Sequence, residues 1–199
     1  MTLIMGMEPE DGPYWKPISL QYRPYTADGP NVRKESLNPE DEHGEYINRS
    51  YYGESSYATN EAELDAVIAL KNSLPADAKL ILCIDADRPM CFGEIEPYAD
   101  AILLGFGGVA DFAYANIITG AVEPYALLSH PMPKDMDAIE ALNEDTPRSV
   151  ECYTDAMGNT YEFGFGLNWS GIIDDDRTAT YKAAAPLTEP QLETWSPNA

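Results

Sequence analysis

The chain reads as an α/β domain: a mostly parallel central sheet with helices on both faces, a three-layer sandwich. Two observations predict this. The runs 79–85 (Lys-Leu-Ile-Leu-Cys-Ile-Asp) and 101–106 (Ala-Ile-Leu-Leu-Gly-Phe) are apolar on both faces, so neither strand has a side to give to water. Stretches of helical periodicity flank them, which gives helix, strand, strand and helix in order between Asn60 and Gly120.

Each element has a local reason. Asn60 is a good N-cap, and Glu63 stands three residues on, where a capping-box acid belongs. Leu64, Val67 and Ile68 share one helical face, Leu74 continues it, and Pro75 stops the helix. Between the strands, Pro89 and Pro97 leave room for two helical turns at most. Gly107 and Gly108 close the second strand. The run Gly105-Phe-Gly-Gly108 lacks the full G-x-G-x-x-G of a phosphate cradle and reads as tight strand-to-helix packing. Val109, Phe112, Ala113, Asn116 and Ile117 then form an apolar helical face that ends at Gly120, a natural C′ glycine.

Upstream, Thr2–Met5 is a short strand, and residues 18–22 alternate weakly. Residues 23–46, rich in Pro, Gly, Asn and Asp, form a long surface excursion, a feature often tied to function. Downstream, the prolines of 123–133 suit an edge strand or an extended crossing. Met136–Leu142 is a short helix, a turn falls at 157–159, and 161–171 is an aromatic and glycine run. There Gly164 and Gly166 either relax the backbone or let another segment pass close by. The expected organisation is one domain over 1–199, with its core at 14–173 and a C-terminal extension at 174–199.

Composition limits the function. Apolar residues make up 44% of the chain, so it is globular. Twelve basic residues against 34 acidic ones leave a net charge of −22, which repels nucleic acid and anionic membrane surfaces. No stretch approaches the roughly 18 apolar residues of a membrane helix. Cys83, Cys91 and Cys152 show no C-x-x-C spacing and there are only two histidines, so no metal or other cofactor is expected. Neither His43 nor His130 has a Ser or Cys partner at a recognisable spacing, so no hydrolytic triad is expected. Residues 1–7 lack a basic n-region, which argues against a signal peptide and favours a cytoplasmic location.

Three segments, in order, resemble the second, α/β-sandwich domain of family 3 glycoside hydrolases, the β-glucosidase and β-xylosidase family. The first is Ile81-Leu-Cys-Ile-Asp-Ala-Asp-Arg-Pro-Met90, similar to an apolar strand leaving through an Asn/Gly-x-Pro turn. The second is Ala99-Asp-Ala-Ile-Leu-Leu-Gly-Phe-Gly107 with Ala115-Asn-Ile-Ile-Thr-Gly-Ala-Val-Glu-Pro124. The third is Tyr161-Glu-Phe-Gly-Phe-Gly-Leu-Asn-Trp169. The likeness covers residues 60–173 well and 14–60 loosely. The chain departs from the family at Asp87, commonly Asn, and at Pro124–Pro131, where the usual Ser-Gly pair is gone.

The resemblance implies a chain that is the second domain only, excised or truncated, because the (β/α) barrel that carries the family's aspartate nucleophile takes about 250 residues. Retaining hydrolysis needs two carboxyl groups about 5 Å apart. By resemblance, the acid/base glutamate lies just before the Asn60 helix. The family pattern is close to Arg-x-Ser-Gly-Glu-Gly, and here it reads Arg49-Ser-Tyr-Tyr-Gly-Glu54, one residue out of step. Glu54 is thus the candidate acid/base, ahead of Glu45 and Asp65, with Arg49, Tyr51 and Tyr52 as candidate substrate contacts. The rings of Tyr51, Tyr52 and Tyr57, with Trp15, Tyr22 and Tyr25, form either a sugar-stacking wall or a loop packed on itself.

The implied function is one wall of a β-glycosidase sugar site, inactive alone; the alternative is a non-catalytic carbohydrate- or partner-binding domain. The expected partners are a β-linked saccharide, a barrel domain in cis or in trans, and a second copy through the uncovered face.

Overall fold

In the computed structural model the described residues are 2–5, 20–25, 60–86, 88–142 and 148–185. Three strands, β1 (Thr2–Met5), β2 (Ile81–Ala86) and β3 (Ala101–Gly105), form a parallel sheet in that order. The register places Leu3 beside Ile84 and Cys83 beside Leu103. A second sheet is a two-stranded hairpin, β4 (Leu167–Asn168) with β5 (Gly171–Ile172). The architecture is mixed α/β with a small parallel sheet.

Helix α1 (Glu61–Ser73) runs where its periodicity puts it. Leu64 and Val67 are fully buried, and Ile68 and Leu74 pack against the same cluster. Leu74 leaves the helix with extended backbone, as a residue before proline must. The start differs from expectation. The Asn60 carbonyl accepts from the Glu63 and Leu64 amides, but the Asn60 side chain makes no cap bond and is itself buried, so the capping box does not form.

Residues 82, 84 and 86 share one face of β2, and with Leu80 just ahead of the strand they enter the core with Leu64, Val67, Tyr22, Phe92, Ile95 and Met132. Burying an aliphatic side chain of this size contributes about 1.5–3 kcal/mol. Cys83, on the other face, is buried too. β3 departs from the reading of a strand buried on both faces. Ala101 is exposed and residues 102–104 are half-buried, and among the described residues β3 is an edge strand of the sheet. The two prolines between the strands permit two 3-10 turns, Phe92–Glu94 and Glu96–Tyr98.

Asp100 locks the start of the sheet to the last turn of α1. Its carboxylate accepts from the Leu80 amide at 2.8 Å and from Lys71 and Lys79 at 2.9 Å each. These donors hold its carboxyl well below the usual carboxylate range, the Leu80 amide contributing most. A depressed folded pKa stabilises above the unfolded value of about 3.9, and the gain is lost as pH falls through the folded one. Asp100→Ala is therefore expected to lower Tm at neutral pH, with the gap to the parent chain closing on strong acidification. A gap constant with pH would mean that the ion pairs contribute nothing.

Helix α2 (Asp111–Ile118) ends in a Schellman turn. The Ala121 amide bonds the Asn116 carbonyl, the Gly120 amide bonds the Ile117 carbonyl, and Gly120 sits at φ +75°. Its inward face is not the expected one: Phe112 and Asn116 face solvent, and Tyr114 is the buried residue.

Residues 126–134 form the extended crossing, held by backbone bonds from Leu128 to Phe165, Gly164 to Leu128, Met132 to Tyr161, Tyr153 to Met132 and Lys134 to Glu151. Helix α3 (Met136–Ala141) follows, capped by the Asp135 side chain on the Ala138 amide at 2.8 Å. Helix α4 (Ala179–Ala183) lies beyond a 3-10 turn whose Thr178 is buried. Both readings of the glycine run hold. Gly164 has φ +82° and lies against the Thr178 side chain, and Gly166 lies against the Ala126 carbonyl of the crossing.

Candidate functional site

The residues expected to carry chemistry, Glu54, Arg49, Tyr51 and Tyr52, lie outside the described residues, as do Glu45, Tyr57, Trp15 and His43. The described surroundings are the two feet of the excursion, Leu20–Tyr25 and the first turn of α1. The Tyr22 and Arg23 amides both donate to Glu94 Oε2, at 2.6 and 3.2 Å. The Cys91 amide donates to the Leu20 carbonyl at 2.8 Å. The Arg23 guanidinium lies 3.6 Å from Glu61, 3.8 Å from Asp65 and 3.6 Å from Glu94. Arg23 thus ties the outgoing foot to the helix at which the chain returns. Asp65 is largely exposed on the polar side of α1, as its place in the helix implies.

Tyr22 and Tyr25 are not free to stack on a sugar. Tyr22 is fully enclosed in the core and Tyr25 is buried, its hydroxyl donating to Asp137 at 3.2 Å. Burial pushes both phenols well above their usual range. Of the two readings of these aromatics, packing is the one that holds for this pair.

A second cluster forms at the carboxyl ends of β2 and β3, the end of a parallel sheet where ligands commonly bind. Asp85 accepts from the Gly107 amide at 2.7 Å and the Gly108 amide at 2.9 Å. The two glycines, at φ +82° and +71°, turn both N–H groups the same way, a geometry that favours an anion. The protein's own carboxylate fills it. Gly105 packs tightly here: a Cβ would run into the Tyr114 hydroxyl and Val109. Tyr114 also donates to the Ile84 carbonyl at 3.4 Å.

Beside this clasp, the His130 ring lies 4.5 Å from Phe106, and its Nδ1 is 2.9 Å from Ser129 Oγ. Desolvation lowers the His130 pKa and favours the neutral imidazole. Nε2 is enclosed without a hydrogen-bond partner. A triad needs an acid on the second nitrogen to orient the base, and among the described residues none is there. The sequence offers His130 no Ser or Cys at a recognisable triad spacing; the hydroxyl it meets is that of its neighbour Ser129. Sequence reading missed the Asp85 clasp, although an acid closing one buried strand and Gly-Gly closing the next is a usable signal. Among the described residues no group of three or more His, Cys, Asp or Glu is placed to hold a metal ion. An apolar pocket of about 270 Å³, lined by Leu20, Pro131, Pro133, Ile139 and Leu142 with Arg148 and Ser149 at its polar side, has no carboxylate or imidazole among the described residues that line it.

A stretch of 114 residues, 57% of the chain, is 30% identical to beta-glucosidase C of Emericella nidulans and covers 17% of that protein. Stretches of 115 residues, 58% of the chain, are 26% identical to the probable beta-glucosidase C of Aspergillus flavus and of Aspergillus oryzae, covering 16% of each. The chain thus spans about one sixth of the length of the curated relatives it matches. No family model matches the chain, and neither does any solved structure.

Proposed function

We propose that this chain is the α/β-sandwich part of a β-glycosidase of the family 3 type and forms one wall of its sugar site. The observation that carries this is the 30% identity to beta-glucosidase C across 114 residues, joined to the three ordered segments at 81–90, 99–124 and 161–169. In this reading the parallel sheet is the middle layer of a three-layer sandwich. Glu54 protonates the leaving glycosidic oxygen, and a carboxylate from a barrel domain, in cis or in trans, attacks the sugar from the other face. Arg49, Tyr51 and Tyr52 contact a β-linked saccharide. The Arg23 tie supports this reading by joining Leu20–Tyr25 to the first turn of α1, the described segments on either side of the stretch that holds Glu54.

The test is an aryl β-glucoside and β-xyloside assay on the chain alone and with a barrel domain added, each beside Glu54→Gln. The chain alone is expected to give no turnover. With the barrel, activity is expected to appear and to fall about 10²–10⁴-fold in Glu54→Gln. Turnover by the chain alone, lost in Glu54→Gln, would place both carboxylates within this chain and end the divided-site account.

A second reading, a domain that binds a partner without catalysis, is favoured by an exposed apolar patch. Tyr125, Trp169, Leu167 and Ile172 stand 73%, 58%, 46% and 60% exposed. Leu167 and Ile172 are paired across the β4–β5 hairpin, the Trp169 amide donates to Glu123 at 3.1 Å, and Arg177 donates to the Tyr125 carbonyl at 2.7 Å. Apolar faces of this kind mark protein contacts. If Glu54→Gln leaves barrel-restored activity unchanged, this reading replaces the first.

A further inference from the structure

We infer that Asn168, at the tip of the β4–β5 hairpin, is the acceptor of an N-linked glycan. The inference is independent of the glycosidase reading. An Asn-x-Ser/Thr triplet whose middle residue is not proline is the acceptor pattern for this modification, and it is used on surface loops. The chain has two such triplets, Asn48-Arg-Ser50 and Asn168-Trp-Ser170. The first lies outside the described residues. The second spans the hairpin tip: Asn168 ends β4, and Trp169 and Ser170 make the turn.

The tip presents the groups that the modification needs. Asn168 Oδ1 accepts from the Ser170 amide at 2.8 Å, which holds the side chain at the turn and leaves Nδ2 as its free end. Among the described residues Nδ2 has no hydrogen-bond partner, and it is not enclosed. Ser170 is exposed, and its hydroxyl has no partner among them either. Opposite Asn168 stands Gly171, and a Cβ there would meet nothing within 4 Å. The space beside the acceptor is therefore open among the described residues. A glycan also gives the adjoining apolar surface an occupant. Leu167, Trp169 and Ile172 are all exposed around Asn168. The C–H faces of the sugars nearest the link lie within reach of these side chains and cover them with a hydrated polymer.

The donor is an oligosaccharide joined through pyrophosphate to a polyprenyl lipid, delivered by a membrane transferase. Nδ2 attacks the anomeric carbon of the sugar next to the pyrophosphate. The N–C bond forms, the C–O bond breaks, and its electron pair leaves with the lipid pyrophosphate. One Nδ2 proton passes to a base on the transferase, and nothing is oxidised or reduced. The reaction belongs to the lumen of a secretory pathway, so the inference replaces the cytoplasmic location that residues 1–7 favour.

The test is expression of the whole chain behind a cleavable signal peptide in a eukaryotic secretory host. Lumenal and secreted chain are both treated with peptide N-glycosidase, and the peptides holding Asn168 and Asn48 are mapped by mass. A slower electrophoretic band is expected, falling to the mobility of the bare chain after treatment, with a modified site at Asn168. Asn168→Gln and Ser170→Ala are each expected to abolish modification of that peptide, and Ser170→Thr to keep it. Ser170→Ala removes only an exposed hydroxyl, and an unchanged far-UV circular dichroism spectrum separates loss of the acceptor from loss of the fold. A lumenal chain whose Asn168 peptide is bare overturns the inference and leaves the apolar surface to a protein partner. So does a glycan on Asn168 that survives Ser170→Ala.

Discussion

Phe92→Ala is expected to lower folding stability by about 3–5 kcal/mol, the range for removing a fully buried aromatic, and to lower Tm by on the order of 10 °C. Phe92 is 1% exposed and sits on a 3-10 turn between β2 and β3. Its ring meets Tyr161 edge-on at 5.8 Å, and Tyr161 in turn stacks on Phe165 at 5.1 Å and meets Tyr153 at 5.4 Å. Truncation therefore empties a site between the sheet and the C-terminal aromatic run, and the backbone bonds from Met132 to Tyr161 and from Tyr161 to Tyr153 keep those walls from closing in. Thermal unfolding followed by circular dichroism measures the loss. A change under about 1 kcal/mol would mean that the aromatic run does not lean on the sheet.

The second large effect is at Gly166. A Cβ there would strike the Ala126 carbonyl and come within 2.9 Å of Leu127 Cδ2. The first obstacle is backbone and cannot rotate away, so Gly166→Ala is expected to cost about 3 kcal/mol, the upper end of the usual overpacking range. Gly158→Ala separates this steric cost from glycine's conformational freedom. Gly158 has φ +85° and nothing within 4 Å of an added Cβ, so only left-handed backbone strain of about 1–2 kcal/mol applies. Chemical denaturation of the two variants side by side decides the matter. Equal losses would mean that the crossing yields at Ala126.

These two sites mark how far the sequence could be read. α1, β2 and the position of β3 were legible because continuous apolar runs and a thirteen-residue periodic helix carry strong signals. Gly164 and Gly166 were legible as a close approach, since glycine in an aromatic run has few other reasons to be there. Side-chain direction was less legible. In α2, only eight residues long and apolar on most sides, periodicity chose Phe112; tertiary contact chose Tyr114, whose hydroxyl reaches the Ile84 carbonyl. At Asn60 a capping pattern was present, but packing drew the side chain inward. The Asp85 clasp joins residues more than twenty positions apart, which local pattern does not reveal. The candidate acid/base loop rests on resemblance alone, one residue out of step, because a lone glutamate among 34 acidic residues carries no signal of its own.

The closure of Thr178 against Gly164 also sets an order of events on the ribosome. The three strands of the parallel sheet have all been made by residue 105. Met132, fully buried in the finished fold, takes backbone partners from Tyr153 and Tyr161, and the aromatic run waits in turn for residue 178. At about 5–20 residues per second, this leaves roughly 4–15 s in which a nascent chain holds its sheet with one side of the core uncovered. Contacts this distant in sequence also form slowly once all parts are present. The last tenth of the described chain is therefore the piece that ends the interval in which chaperones, or neighbouring nascent chains, can reach the core.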